Sequence, residues 1–153
     1  MDCFFVSCSL RARPDLVGQP VAIAWGGKGS DSNGEISSCS YEARTFGVKA
    51  GMWLQKAREL CPSIQVIPYE FEKYRLVSEQ VYRLLFEVTK HVEVSSCDEA
   101  YMDISALSDG LTTPEQIIES LRAKIERITN GCTASAGIAS NKMLAKMATS
   151  HSK

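Results

Sequence analysis

Val-Glu-Val-Ser-Ser-Cys-Asp-Glu-Ala-Tyr-Met-Asp-Ile, residues 92–104, holds two short strand-type runs, Val92 to Ser96 and Tyr101 to Ile104, joined through Cys97 to Ala100. Along a strand successive side chains point to opposite faces, so neighbouring acids such as Asp98 and Glu99 would be kept apart. At a tight hairpin that alternation breaks, and both carboxylates can converge. Converging carboxylates suit a hard cation such as Mg²⁺, and phosphoryl chemistry uses two such ions close together. Taken alone, the pair reads as a solvated acidic turn. The apolar flanks Val92, Val94, Cys97, Ala100, Met102 and Ile104 instead predict a central hairpin.

Outward from the hairpin, apolar residues recur at helical spacing. Phe71, Tyr74, Val77, Val81, Leu84, Leu85 and Val88 predict one long amphipathic helix over Glu70 to Lys90. After the hairpin, Thr113-Pro114-Glu115 opens a helix with proline just inside its start, running to about Ile128. Cys132 to Ile138 is expected as a strand, and Ser140 as the cap of a last helix whose Met143, Leu144 and Met147 would pack inward. Residues 2–8 favour a strand by propensity, with a short helix as the alternative. With that N-terminal element the order matches an α+β, ferredoxin-like (split βαβ) sheet.

Residues 18–70 read as an inserted small subdomain, after a turn at Arg13 to Leu16. Strands are expected over Pro20 to Trp25, Glu35 to Ser40 and Ile64 to Ile67, with a Gly- and Ser-rich loop over Gly26 to Gly34. Tyr41 to Phe46 predicts a short helix stopped by Gly47, and Trp53 to Leu60 another ending before Pro62.

The 153 residues suffice for one domain, or one domain with a small appendage. A 44% hydrophobic and 23% charged composition is ordinary for a globular chain. No apolar run approaches the roughly 20 residues of a membrane span, and the first residues do not follow a secretory pattern. An intracellular domain is expected. Cys3, Cys8, Cys39, Cys61, Cys97 and Cys132 are scattered, without the paired spacing of a zinc site, and read as reduced small hydrophobes. A formal net charge of −1 argues against strong nucleic-acid affinity for this chain alone. Both ends read as cut, so a fragment is expected.

Three other groups carry possible chemistry. Tyr41 and Arg44 lie three apart on one helical face, and a guanidinium fork beside a phenol suits a triphosphate; a surface arginine beside a half-buried tyrosine is the plainer reading. Lys142, Lys146 and Lys153 form a helical stripe, either a solvated face or a charge clamp near phosphate. Phe4 and Phe5 follow Asp2, as core residues or as an aromatic face for a sugar.

Six ordered blocks turn these fragments into one pattern: Met-Asp-Cys-Phe-Phe (1–5), Ser-Tyr-Glu-Ala-Arg (40–44), Gly-Val-Lys-Ala-Gly-Met (47–52), Leu-Cys-Pro (60–62), Asp-Glu-Ala-Tyr-Met-Asp (98–103) and Gly-Ile-Ala-Ser-Asn-Lys-Met-Leu-Ala-Lys (137–146). Over essentially the whole chain they resemble the Y family of translesion DNA polymerases. Ser-Cys-Asp-Glu (96–99), Arg-Pro-Asp-Leu (13–16) and Pro-Tyr-x-Phe (68–71) lean toward the Rev-type deoxycytidyl transferase branch, although Met-Asp-Cys-Phe-Phe also occurs in the eta branch.

The resemblance implies a palm of residues 1–17 and 71–153, incomplete at both ends, and a fingers subdomain of 18–70. It implies two Mg²⁺ ions held by Asp98 and Glu99, with the Met1 backbone carbonyl as a further ligand and Asp2 as a nearby acid. Phe5 takes the place of the steric gate against a ribose 2′-hydroxyl, with Cys3 and Phe4 beside it. Tyr41, Arg44 and Lys153 would hold the triphosphate. The family opens a helix at about Cys3, against the strand propensity there. Its first metal-binding aspartate would precede Met1, its main DNA grip would follow Lys153, and the arginine that selects dCTP in the Rev-type branch would lie upstream. The implied partners are primer-template DNA, a dNTP and other replication or translesion proteins, in the nucleus and without a membrane. Isolated, the fragment is expected to be inactive. The rival readings are an eta- or kappa-type enzyme, a nucleotide cyclase on the same kind of core, and a non-catalytic scaffold.

Overall fold

The computed structural model describes residues 1–25, 34–107 and 112–151, and the chain packs as two compact units, 3–74 and 1–2 with 75–153. The loop expected over Gly26 to Gly34 lies almost wholly outside the described residues, and so does Lys153. The architecture is mixed α+β, as expected.

In the unit of residues 3–74, α1 (Phe4–Leu10) is a helix, not the strand that propensity favours. Cys3 turns the chain at a left-handed φ of 43°, and its carbonyl accepts the Ser7 N–H at 2.9 Å. A 3-10 turn at Pro14–Leu16 leads to β1 (Val21–Ala24), which lies between β2 (Ile36–Cys39, antiparallel) and β3 (Gln65–Ile67, parallel). All four β1 residues are buried because the strand is central and covered on both faces. Its side chains alternate accordingly. Ala22 and Ala24 join Ala43, Leu54 and Ala57 in one cluster, whereas Val21 and Ile23 join Val6 and Ile67 in another. The helices α2 (Tyr41–Thr45) and α3 (Leu54–Leu60) supply the first cluster. Gly47, at φ 84°, ends α2 by donating its N–H to the Arg44 carbonyl at 2.9 Å. Arg13 forks onto Glu70 at 2.8 and 3.0 Å, and Lys73 reaches the same carboxylate at 2.6 Å.

The second unit takes most of α4 (Phe71–Val88), whose Val77, Val81 and Leu85 are buried at four-residue steps. The hairpin strands β4 (Val92–Val94) and β5 (Ala100–Met102) pair antiparallel, with Glu93 opposite Tyr101. The helix α5 (Pro114–Ile128) starts on a capping box of Thr113 and Gln116 and buries Leu121 and Ile125. Buried Thr129 then turns the chain by donating to the Ile125 carbonyl at 2.7 Å and accepting the Cys132 N–H at 3.1 Å.

Three expectations fail in this unit, the first being the cap of the last helix, which is Asn141, accepting the Leu144 N–H at 2.9 Å, and not Ser140. No strand forms over Cys132 to Ile138. A ladder needs a neighbouring extended segment, and Asp2 gives one rung, its N–H to the Thr133 carbonyl at 3.0 Å, before the chain enters α1. The Ala134 carbonyl is taken by the Arg122 side chain at 2.7 Å instead. In α6 (Lys142–His151), Met143, Leu144 and Met147 face outward, 69%, 43% and 57% exposed. Gly137 explains this: a β-carbon there would stand 2.2 Å from the Ala145 carbonyl oxygen and 2.4 Å from the Thr149 nitrogen. The helix therefore lies backbone to backbone on residue 137, and only its small-residue face can turn inward.

Candidate functional site

The acid pair sits at the turn of the β4–β5 hairpin, where the strand alternation has ended. Asp98 is half-buried and Glu99 exposed. With Met1, Asp2, Tyr82 and Lys146 they line one cavity of about 230 Å³ within the unit of residues 1–2 and 75–153. The Asp98 carboxylate accepts the Ser96 hydroxyl at 2.8 Å, and the Asp98 N–H donates back to that hydroxyl oxygen at 3.3 Å. Glu99 accepts the Lys146 ammonium at 2.5 Å. That bond holds Lys146 above the usual lysine range, against the small opposing effect of burial.

Four carbonyls in the turn are tied down. Ser96 accepts the Tyr82 hydroxyl, Cys97 the Ser78 hydroxyl at 2.6 Å, and Asp98 the Met1 main-chain nitrogen at 2.9 Å. The Glu99 carbonyl takes the Ser95 and Ser96 N–H groups at 2.9 and 3.2 Å and the Tyr82 hydroxyl at 3.2 Å. Burial, then the negative charge of Asp98, pushes Tyr82 up to about 12, so its phenol stays protonated and donates. The same two causes raise the Cys97 thiol.

The other expected residues of this unit have defined partners. Asp2 is buried, and its carboxylate accepts the Thr133 and Ser135 hydroxyls at 2.9 and 2.8 Å. Lys142 pairs with Glu93 and stands 5.7 Å from the Tyr101 ring centroid. Lys142 and Lys146 thus neutralise acids on and beside the hairpin.

In the unit of residues 3–74, Arg44 stands 5.1 Å over the Tyr41 ring, and both side chains are exposed. Ser40 caps their helix by accepting the Ala43 N–H at 3.2 Å. Partial burial works against the Arg44 charge, but Cys3, Cys39 and Tyr41 outweigh it. Phe4 is buried; Phe5 is half-buried, its ring 4.6 Å from that of Tyr74.

Asp98 and Glu99 have the hard oxygen chemistry that Mg²⁺ requires. Among the described residues, however, no cluster of three or more His, Cys, Asp or Glu side chains forms a metal site. The acid pair fits as part of a donor set, to be completed by further oxygen donors.

Sequence reading picked out the acids and the lysines but missed Ser78, Tyr82 and Ser96. A hydroxyl pair four apart on the helix before the hairpin was the available signal.

The fold superposes on the insertion ternary complex of Dbh DNA polymerase with a TM-score of 0.89 and 30% identity, covering 99% of this chain and 44% of that one. DinB from Sulfolobus solfataricus gives 0.87 and 32%, over 99% and 44%. The fold is that of the matching part of a DNA polymerase. Residues 1–150 match the impB/mucB/samB family, and the chain belongs to that family, the Y-family polymerases. It is 42% identical to DNA repair protein REV1 of Arabidopsis thaliana over 97% of its length and 13% of the relative's. It is 43% identical to DNA polymerase IV of Stenotrophomonas maltophilia over 97% of its length and 39% of the relative's. The chain therefore spans well under half the length of these relatives.

Proposed function

We propose that these residues form the catalytic region of a translesion DNA polymerase, which transfers a dNMP from a dNTP to a primer 3′-hydroxyl under template direction. Asp98 and Glu99, presented together on a pinned turn and lining one cavity, carry this reading. Palm and fingers would comprise residues 1–17 with 71–153, and 18–70. Asp98, Glu99 and the Met1 carbonyl would hold Mg²⁺. Two such ions would supply stabilisation of the attacking and leaving oxygens.

The chain's own residues do the rest. Arg44 and Tyr41 present a cation and a phenol for triphosphate oxygens, and the family resemblance gives Lys153 the same expected role. Phe5, backed by Phe4 and Cys3, would limit room at the sugar 2′ position. Lys146 keeps Glu99 charge-compensated.

Within the family we favour the Rev-type deoxycytidyl transferase, on the Ser-Cys-Asp-Glu block at 96–99. The similar identities to REV1 and to DNA polymerase IV leave an eta- or kappa-type enzyme as the second reading. A nuclear location and replication or translesion partners go with the Rev-type branch.

Primer extension by the full-length polypeptide opposite template G, with each dNTP in turn, tests both levels. Exclusive dCTP use supports the branch; ready use of all four supports the alternative. Asp98→Asn or Glu99→Gln should lower extension by about a hundredfold to a thousandfold, as expected when charge stabilisation at the reacting phosphate is removed. Wild-type extension rates in both variants refute the site, and primer extension by the isolated 153 residues refutes their expected inactivity.

A further inference from the structure

We infer that Ser78 and Tyr82 are positioning residues, which set the direction of the Asp98 and Glu99 side chains by gripping the carbonyls of the turn that carries them. The inference rests on the polymerase reading for its catalytic consequence, but its structural part stands separately. A short turn has few internal restraints, and rotation of one peptide plane swings the next side chain away. Here Ser78 donates to the Cys97 carbonyl at 2.6 Å, while Tyr82 donates to Ser96 and, at 3.2 Å, to Glu99. The two donors are four apart on α4, hence on one helical face, and the carbonyls they reach lie on both sides of Asp98. Both residues are half-buried, while their hydrogen bonds to the turn stand open to solvent. The bonds of both hydroxyls go to main-chain carbonyls, so the action on the carboxylates runs through the main chain.

Holding reacting groups within a fraction of an ångström is worth up to about a hundredfold in rate. Ser78→Ala combined with Tyr82→Phe deletes both hydroxyls with little change of volume. In the full-length polypeptide the double variant should lower kcat for primer extension by about tenfold to a hundredfold. KM for dNTP should stay within about twofold, because ground-state binding is not what is lost. Amide hydrogen exchange over residues 95–100 should quicken by about fivefold or more, the expected effect of losing a net hydrogen bond. Ser78→Thr combined with Tyr82→Phe, which restores one hydroxyl, should recover part of both effects.

Unchanged exchange in the double variant overturns the grip. Quicker exchange with unaltered kcat overturns its role in positioning. A wild-type polypeptide inactive in extension defeats the polymerase reading, and with it the catalytic half of the inference; exchange still decides the structural half.

Discussion

Replacing Glu70 by Gln removes one negative charge from beneath two cations while keeping the side chain's shape. Burial alone would raise the Glu70 carboxyl; hydrogen bonds from Arg13, Lys73 and Ser9 overcome it and lower the group from 4.5 to about 2. That fall corresponds to about 3 kcal/mol of stability at neutral pH. The side chains of Arg13 and Lys73 are 30% and 40% exposed, and solvent screening trims the figure to roughly 2 kcal/mol. A depressed carboxyl stabilises the fold above its unfolded value and loses that contribution as pH falls through its folded value. The stabilisation is therefore complete above about pH 5, less than half remains at about pH 3, and almost none at about pH 2. Both tryptophans, Trp25 and Trp53, lie in the same unit as Glu70, so urea unfolding followed by their fluorescence reads the right part of the chain. Glu70→Gln should lose roughly 2 kcal/mol at pH 7, with the gap falling below half by about pH 3 and closing toward about pH 2. A gap that stays constant from pH 7 to pH 3, or one below about 0.5 kcal/mol at pH 7, would refute the argument.

Arg44→Ala should raise KM for dNTP by about tenfold to a hundredfold in the full-length polypeptide, since a charge-assisted fork to phosphate is lost; an unchanged KM removes Arg44 from the nucleotide site. Gly137→Ala places a β-carbon 2.2 Å from a backbone oxygen that no side-chain motion can clear. Thermal unfolding should show a loss of about 2 kcal/mol or more; an unaltered midpoint contradicts the backbone-to-backbone packing of α6.

Local sequence was enough for the elements that satisfy themselves. The helix over Phe71–Val88, the capped α5 and the buried β1 follow from spacing, capping residues and an unbroken apolar run, each a property of neighbours in the chain. The acidic turn was legible too, because Asp98 and Glu99 stand between two strand patterns, and the family blocks supplied the expected metal-binding role.

Other features depended on what lay across the fold. Cys132 to Ile138 has strand composition, yet a strand exists only where a partner ladder does, and Asp2 supplies one rung. Met143, Leu144 and Met147 look like an inward face until Gly137 brings the α6 backbone so close that only its small residues fit there. The α1 helix depends on a left-handed Cys3 that strand propensity argues against. The grip of Ser78 and Tyr82 joins residues 14 to 19 positions apart. Composition and spacing thus marked Asp98 and Glu99 as an acidic turn between two strands, since charge and turn chemistry are local. Tertiary structure decided how those carboxylates are held, because the donors that hold a turn's carbonyls come from another element.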